Sequence, residues 1–246
     1  MSRPEDPRKR AKLNAGRILK RLERLYPEAD CELSHGDAFQ LLVATILSAQ
    51  TTDKAVNKVT PALFRRYPTP QRLAAADPQD VEAMISKIGL YRNKTKSIIG
   101  AAQAIVERFG GQVPEHRRDL ESLPGVGRKT ANVVLSTAFR EPALAVDTHV
   151  QRLARLLGLS VERDPLKIEH DLTSVFSRQR WSFVSHALIW HGRRVCQARA
   201  PRCADCGLND VCPSAGHAQK QLLNAARKRA DSVARRGTAV RRKVGP

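Results

Sequence analysis

The sequence predicts an all-α protein, and three observations support that prediction. Alanine, leucine, valine and isoleucine recur with the three-to-four-residue spacing of amphipathic helices from Leu13 to Ile189. The dipeptides Asp77-Pro78 and Asp164-Pro165 are typical helix starts, because the carboxylate caps the helix and proline suits its first position. Within the sequence we find no convincing alternation of polar and apolar residues of the kind that indicates a strand.

These patterns predict helices throughout the chain, and several have a recognisable start or end signal. The two Asp-Pro dipeptides precede the fourth and eighth helices, while Gly89 and Gly125 each end one short helical run and precede another. The predicted helices are, in order, residues 12–25, 37–49, 53–66, 79–86, 93–109, 128–138, 148–157, 166–177 and 181–195.

Length, composition and charge indicate a globular body with basic ends. A chain of 246 residues corresponds to one or two domains, and 41 % hydrophobic with only 4 % aromatic residues predicts an aliphatic core. The formal net charge is +19; residues 1–25 contribute +6 and residues 214–246 contribute +8. Such basic ends are typical of solvated arms, and a polyanion such as nucleic acid is the partner that suits them.

The chain shows no segment with the roughly 18 apolar residues of a membrane span, and the polar stretch 1–10 does not resemble a signal peptide. We therefore expect a cytoplasmic, nucleoid-associated protein. In a reducing compartment an odd number of cysteines, here five, does not indicate a disulfide framework. Cys31 is interpreted as a small buried apolar residue.

The other four cysteines lie close together near the C-terminus and indicate a metal centre. A single 17-residue segment contains Cys196, Cys203, Cys206 and Cys212. Zinc binds four cysteines in many proteins, and the pair Cys203-x-x-Cys206 has a common zinc spacing. Cys196 and Cys212 do not form a second pair of that kind, and an iron–sulfur cluster is the competing interpretation.

The segment Leu123-Pro124-Gly125-Val126-Gly127 precedes the predicted helix 128–138. Its two glycines permit a tight turn and remove side chains that would keep a ligand from the backbone. The first N–H groups of the following helix have no intrahelical acceptor, so they can bind an anion such as a phosphate. A plain connector between two packed helices is the alternative.

Lys129 and Asp147 each have an ordinary role when judged from sequence position alone. Lys129 lies in the first turn of the predicted helix 128–138, directly after the glycine turn, where it could simply contact a phosphate. The helix dipole is worth about 0.3 to 1 kcal/mol, too little to activate a lysine amine whose ordinary pKa is about 10.4. Asp147 precedes Thr148-His149 and a helical run, a position typical of an N-cap.

These motifs together resemble the endonuclease III family of helix-hairpin-helix, iron–sulfur DNA glycosylases. The resemblance covers about residues 15–213, and four features carry it besides the cysteine spacing. They are Leu-Ser-Ala-Gln-Thr-Thr-Asp at 47–53, Ile-Gly-Leu-Tyr at 88–91, Leu-Pro-Gly-Val-Gly-Arg-Lys-Thr-Ala-Asn at 123–132, and Val-Asp-Thr-His at 146–149.

The resemblance implies a bifunctional DNA glycosylase and abasic-site lyase of base excision repair. Lys129 matches the lysine that attacks the sugar and forms a Schiff base, and Asp147 matches its catalytic partner. Gln50 and Leu90 match residues that fill the space vacated by the extruded base, although taken alone they would be a helix-end polar residue and a core leucine. The implied substrate is double-stranded DNA that contains an oxidised pyrimidine or an abasic site, bound by a monomer.

The resemblance also implies the cofactor and the DNA contacts. The four cysteines match the ligands of a [4Fe–4S] cluster that organises the loop 197–202. The residues expected to contact DNA are Gln50, Leu90, Gly125, Val126, Gly127, Arg128, Thr130, His149, Arg199 and Arg202.

The implied organisation has two lobes. A basic N-terminal arm and helix, 1–30, packs with the cluster lobe, 143–213; residues 31–142 form the helical lobe with the hairpin, and 214–246 form a basic, disordered tail. Two alternatives remain. An adenine-mismatch glycosylase usually has no lysine at the position of Lys129 and has an additional domain, whereas a non-catalytic helix-hairpin-helix DNA binder does not need Asp147.

Overall fold

A computed structural model describes residues 7–216, and within this range the regular elements are helices. The N-terminal six residues and the predicted tail from residue 217 onward lie outside the described residues. The α-helices are α1 (Pro7–Leu25), α2 (Ala38–Leu47), α3 (Asp53–Arg66), α4 (Pro70–Ala74), α5 (Pro78–Ile85), α6 (Tyr91–Phe109), α7 (Arg117–Glu121), α8 (Arg128–Thr137), α9 (Thr148–Leu156), α10 (Pro165–Val175) and α11 (Trp181–Arg194). Two 3₁₀ turns lie at Arg178–Arg180 and Asn209–Val211.

The structure confirms the all-α prediction and the helix starts on which it depended. Asp77 accepts a hydrogen bond from the Gln79 N–H at 2.8 Å, and Asp164 accepts one from the Lys167 N–H at 3.0 Å. The short helices α4 and α7 were not predicted, because five residues are too few to show a helical period.

The chain forms two compact units. The unit that we call the hairpin unit consists of Glu28–Asp147 and Phe176–His186. The cysteine unit consists of the described residues within Met1–Pro27, Thr148–Val175 and Ala187–Pro246. The sequence-based boundaries placed residues 143–147 and 176–186 in the cluster lobe, whereas these residues belong to the hairpin unit.

The core of the hairpin unit is built around α2. Eight of its ten residues are buried, and the helix packs against α3, α6 and α8. A helix that is apolar on most of its surface has to be surrounded by other elements, because each exposed apolar side would cost hydrophobic free energy. This core therefore supports the start of α8, where the candidate catalytic lysine lies.

The cysteine unit has a second core, and α1 contributes one face of it. Ile18 and Leu22 are completely buried, while the Asn14 side-chain amide donates to the Leu157 carbonyl at 2.9 Å. The Tyr26 hydroxyl lies 2.9 Å from Nδ1 of His191 on α11. Among the described residues, no helix has the length and apolar character needed to cross a membrane.

Candidate active site and nucleic-acid interface

The predicted hairpin is a tight turn between α7 and α8 that packs on the core. The Val126 N–H donates to the Leu123 carbonyl at 3.1 Å and closes the turn. Gly125 has φ of +76°, and a Cβ added there would lie 2.6 Å from the Ser97 Cβ and 3.4 Å from Ile46. Gly125 is thus required by both backbone conformation and space.

We expect Gly125→Ala to destabilise the protein by about 2 to 4 kcal/mol, since it adds a left-handed-region penalty to an overpacked contact. Gly127→Ala is the matched control, because φ there is −100° and a Cβ would meet no atom of the described structure within 4 Å. That variant should lose no more than about 1 kcal/mol. Urea denaturation measures both values, and equal losses would contradict the structural role of Gly125.

The start of α8 presents backbone N–H groups and two cationic side chains at the surface. The first intrahelical hydrogen bond runs from the Ala131 N–H to the Gly127 carbonyl at 3.0 Å, and Gly127 has no side chain that could cap the preceding groups. Arg128 and Lys129 are exposed, and Thr130 is half-buried. An anion such as a phosphate is a suitable ligand for this positive helix end.

Val126 was predicted to contact DNA, but its side chain is buried in the protein. Its side chain is only 7 % exposed, and it belongs to the hydrophobic core of the hairpin unit. Its N–H is already used within the turn. Val126 therefore supports the hairpin from inside, because both its side chain and its backbone donor are engaged by the protein.

Lys129 and Asp147 belong to the same unit, and a buried asparagine connects their segments. Asn132, which is completely buried, lies three residues after Lys129 and hence on the same face of α8. Its side-chain amide donates to the Leu144 carbonyl at 2.8 Å. The segment that leads to the half-buried Asp147 is thereby held against the helix that carries Lys129.

This role of Asn132 was not predicted, although a polar residue inside the apolar run Ala131–Leu135 was an available signal. Ser185 on α11 gives the segment a second attachment, because its hydroxyl donates to the Ala145 carbonyl at 2.7 Å. The two hydrogen bonds fix the backbone just before Asp147.

Gln50 and Leu90, predicted to fill the space of an extruded base, are both exposed and both in the left-handed region. Their φ angles are 54° and 58°, and Leu90 is 55 % exposed. Leu90 is therefore not a core leucine. A non-glycine residue in this conformation costs about 1 to 3 kcal/mol, and such strain is concentrated at functional sites.

The four clustered cysteines line one cavity in the cysteine unit. All four are free and half-buried, and the cavity walls include Leu153, Leu156, Leu157 and Leu208. Burial raises the pKa of Cys196, Cys206 and Cys212, and the neighbouring cysteines add to the increase. A positively charged group bound among these thiols would favour their deprotonation.

Several donors of the cysteine unit surround this cavity. The Leu208 N–H points to the Cys206 sulfur at 3.4 Å, and Arg152 donates to the Cys196 carbonyl at 2.6 Å. Burial, followed by the Arg152 charge, lowers the pKa of His191 to about 4. The described residues show no group of three His, Cys, Asp or Glu side chains arranged to bind a metal ion.

The remaining predicted DNA contacts are also located in the cysteine unit. Arg199 and Arg202 are exposed, and Arg202 in addition donates to the Arg194 carbonyl. His149 is half-buried against Gly192, where an added Cβ would lie 2.9 Å from its Nδ1. Gly192 is therefore the residue that allows His149 to pack against α11.

Cys31 is separate from the four clustered cysteines and belongs to the hairpin unit. It is partly buried against the core, and burial, as the main cause, raises its pKa to about 11. It therefore remains a neutral thiol at physiological pH. Its environment agrees with the interpretation of a small apolar residue.

The helical fold and the glycine hairpin define a helix-hairpin-helix protein, and comparison with known proteins supports this class. Residues 43–178 match the family described as HhH-GPD superfamily base excision DNA repair protein. Endonuclease III of Synechocystis sp. is 52 % identical over 205 residues, 83 % of this chain and 94 % of that protein. Endonuclease III of Escherichia coli K12 is 42 % identical over 195 residues, 79 % and 92 % of the two chains.

A solved structure agrees with these relatives. The structure of a trapped endonuclease III–DNA covalent intermediate superposes with a TM-score of 0.81 at 41 % identity, covering 86 % of this chain and 98 % of that one. The chain belongs to the endonuclease III family. It is accordingly a base excision repair enzyme with DNA glycosylase and abasic-site lyase activities.

Proposed function

We propose that the protein removes oxidised pyrimidines from double-stranded DNA, with Lys129 as the nucleophile, and cuts the strand at the resulting abasic site. The observation that carries this proposal is the position of Lys129. It lies exposed in the first turn of α8, beside an open anion-binding helix end and on the helix face to which the Asp147 segment is attached.

The proposed reaction has two stages. The neutral Lys129 amine forms a bond to C1′ while the C1′–N bond breaks, and the base leaves with the electron pair and takes up a proton. Asp147 accepts the proton lost by the amine and stabilises positive charge on the sugar. The sugar ring then opens: the nitrogen lone pair forms the C1′=N bond as the C1′–O4′ bond breaks, and O4′ takes up a proton to give the Schiff base. Loss of a C2′ proton from this Schiff base breaks the C3′–O bond, and the 3′ phosphate leaves with the electron pair. Water then hydrolyses the C=N bond and releases the lysine.

Extrusion of the base precedes this chemistry, and we assign Gln50 and Leu90 to it. Unstacking a base costs a few kcal/mol, which side chains entering the vacated space offset. Both residues are exposed. Each has a left-handed backbone conformation, so its side chain projects from a turn and not from the regular surface of a helix.

Leu90→Ala should slow excision of an oxidised pyrimidine from paired duplex DNA by about tenfold, corresponding to about 1.4 kcal/mol of lost compensation. The fold should be retained, because the removed atoms are exposed. Leu166→Ala is the matched control, since Leu166 is a leucine with a similar exposed fraction of 52 % on α10. Single-turnover strand nicking measures the effect, and an unchanged rate in Leu90→Ala would remove the wedge role.

We propose that the four cysteines bind a [4Fe–4S] cluster in preference to a zinc ion. The pair Cys203-x-x-Cys206 has no second closely spaced pair beside it of the kind common in zinc sites, and all four cysteines line one apolar cavity. A cluster takes one thiolate at each of four irons, which suits cysteines spread around a cavity. When bound, it would supply charge compensation for the thiolates and a rigid loop 197–202.

In the hairpin unit, DNA contacts are proposed for Gly125, the helix end at Gly127, Arg128 and Thr130. In the cysteine unit, they are proposed for His149 and for the exposed cations Arg199 and Arg202. These groups contact phosphates, so affinity should fall steeply with salt. We propose that the protein acts as a monomer. Of the two alternatives, Lys129 disfavours an adenine-mismatch glycosylase, and a strand-nicking assay separates the proposed enzyme from a non-catalytic binder.

The experiment that tests the function is a panel of duplexes, each with one damaged base. We expect excision and nicking of oxidised pyrimidines and nicking at abasic sites. A preference for adenine opposite a damaged purine, without strand cleavage, would instead indicate the mismatch glycosylase.

A further inference from the structure

Lys94 on α6 is a buried cation that the proposed chemistry does not use. Only 5 % of its surface is exposed, and burial lowers its pKa. Its ammonium nitrogen donates to the Thr51 hydroxyl at 2.6 Å. Burial of a charged amine costs free energy unless the amine is hydrogen-bonded, so this contact compensates part of a real penalty.

The two ends of this contact lie beside the two exposed residues assigned to base extrusion. Thr51 directly follows Gln50 and closes its turn, because the Thr51 N–H donates to the Ser48 carbonyl at 3.0 Å. Lys94 lies one helical turn after Leu90, and its N–H donates to the Leu90 carbonyl at 3.0 Å. The Lys94 side chain thus connects the two turns through its contact with Thr51, a residue 43 positions earlier in the sequence.

Both turns need such support. Gln50 and Leu90 hold left-handed conformations at φ of 54° and 58°, which non-glycine residues leave unless their surroundings oppose relaxation. Insertion into DNA requires both side chains at once and at a defined separation. A turn that relaxed before DNA was bound would have to be reordered during extrusion, at an entropic cost.

We propose that Lys94 is a positioning residue that holds Gln50 and Leu90 at a fixed separation through its bond to Thr51. This inference rests on the proposed function, because it assumes that both residues enter the DNA. Lys94 itself touches neither the sugar nor the base. It acts by keeping the two turns in the conformation that insertion needs.

The test is Lys94→Met, which keeps the length of the side chain and removes the charge and the hydrogen bonds. Single-turnover excision of thymine glycol should slow by about tenfold in a fully paired duplex, where extrusion has to be compensated. The rate should change by less than about twofold for the same lesion in an unpaired bubble, where extrusion costs little. Lys96→Met, an exposed lysine on the same helix, controls for the loss of one positive charge.

Two further variants separate positioning from general stability. In a Leu90→Ala background, Lys94→Met should lower the excision rate from the paired duplex by less than about a further twofold, since the positioned side chain is already absent. Thr51→Val should slow excision from the paired duplex as Lys94→Met does. Thr51→Ser, which keeps the hydroxyl, should excise at the wild-type rate. The Thr51 pair tests the contact even if Lys94→Met does not fold.

Two results would overturn the positioning role. One is equal slowing of excision by Lys94→Met on the paired and the bubble substrates. The other is a double variant whose excision rate falls by the product of the two single-variant factors. A wild-type rate for Lys94→Met on the paired duplex, together with an impaired Leu90→Ala, would reject this inference alone. Failure of the wild-type protein to excise thymine glycol would instead reject the proposed function.

Discussion

Lys129→Gln should abolish both base excision and strand nicking, with a loss of at least about 10³-fold in single-turnover rate. Glutamine keeps a polar side chain of similar length but has no amine that can attack C1′. Borohydride should trap a covalent adduct between the wild-type protein and a thymine-glycol duplex, and no adduct should form with the variant.

The control for this variant is Lys167→Gln. Lys167 lies in the first turn of α10, as Lys129 lies in the first turn of α8, and it is exposed. Both changes remove one positive charge beside a helix start, so any general effect on DNA affinity is shared. An adduct formed by Lys129→Gln at the wild-type level would show that another amine is the nucleophile.

Cys203→Ala should remove bound iron and, with it, the organisation of residues 196–212. The remaining thiols have raised pKa values because of burial, so they return to the neutral state once the cluster is lost. Arg199 and Arg202 then lose their defined positions, and we expect DNA affinity to fall by at least about tenfold, or 1.4 kcal/mol. Iron content, visible absorption and proteolysis of this segment are the readouts besides DNA binding.

Cys31→Ala is the matched control, because Cys31 belongs to the hairpin unit and does not line the cavity. It should keep its iron and its DNA affinity. Unchanged DNA affinity in iron-free Cys203→Ala protein would refute the structural role of the cluster, whereas full iron content in that variant would refute the ligand set.

Much of the fold could be predicted from the sequence because its signals are local. Asp77 and Asp164 each cap a helix from within three residues, and the hairpin requires glycine at Gly125 for its own φ angle. Cysteines grouped within 17 residues indicate a shared site at the level of the sequence. The short helices α4 and α7 were missed because each offers only five residues of pattern.

The candidate site was predicted only in part, since several of its properties are not local. Leu90 looked like a core leucine from its apolar neighbours, yet it is 55 % exposed, because the left-handed turn before α6 carries it out of the core. The role of Asn132 depends on the Leu144 carbonyl, twelve residues away. Val126 looked available to DNA, and packing against the core turned it inward.

The sequence by itself predicted the helical class and a glycine hairpin suited to an anion, which depend on residue type and on spacing over a few positions. Its resemblance to the endonuclease III family supplied the candidate nucleophile and the candidate cluster ligands. Only the tertiary structure decided which side chains are exposed, which turns are strained and which groups, such as Lys94 and Thr51, meet across 43 residues. Burial and hydrogen bonding between distant segments arise when the chain packs, and no local pattern of residues encodes them alone.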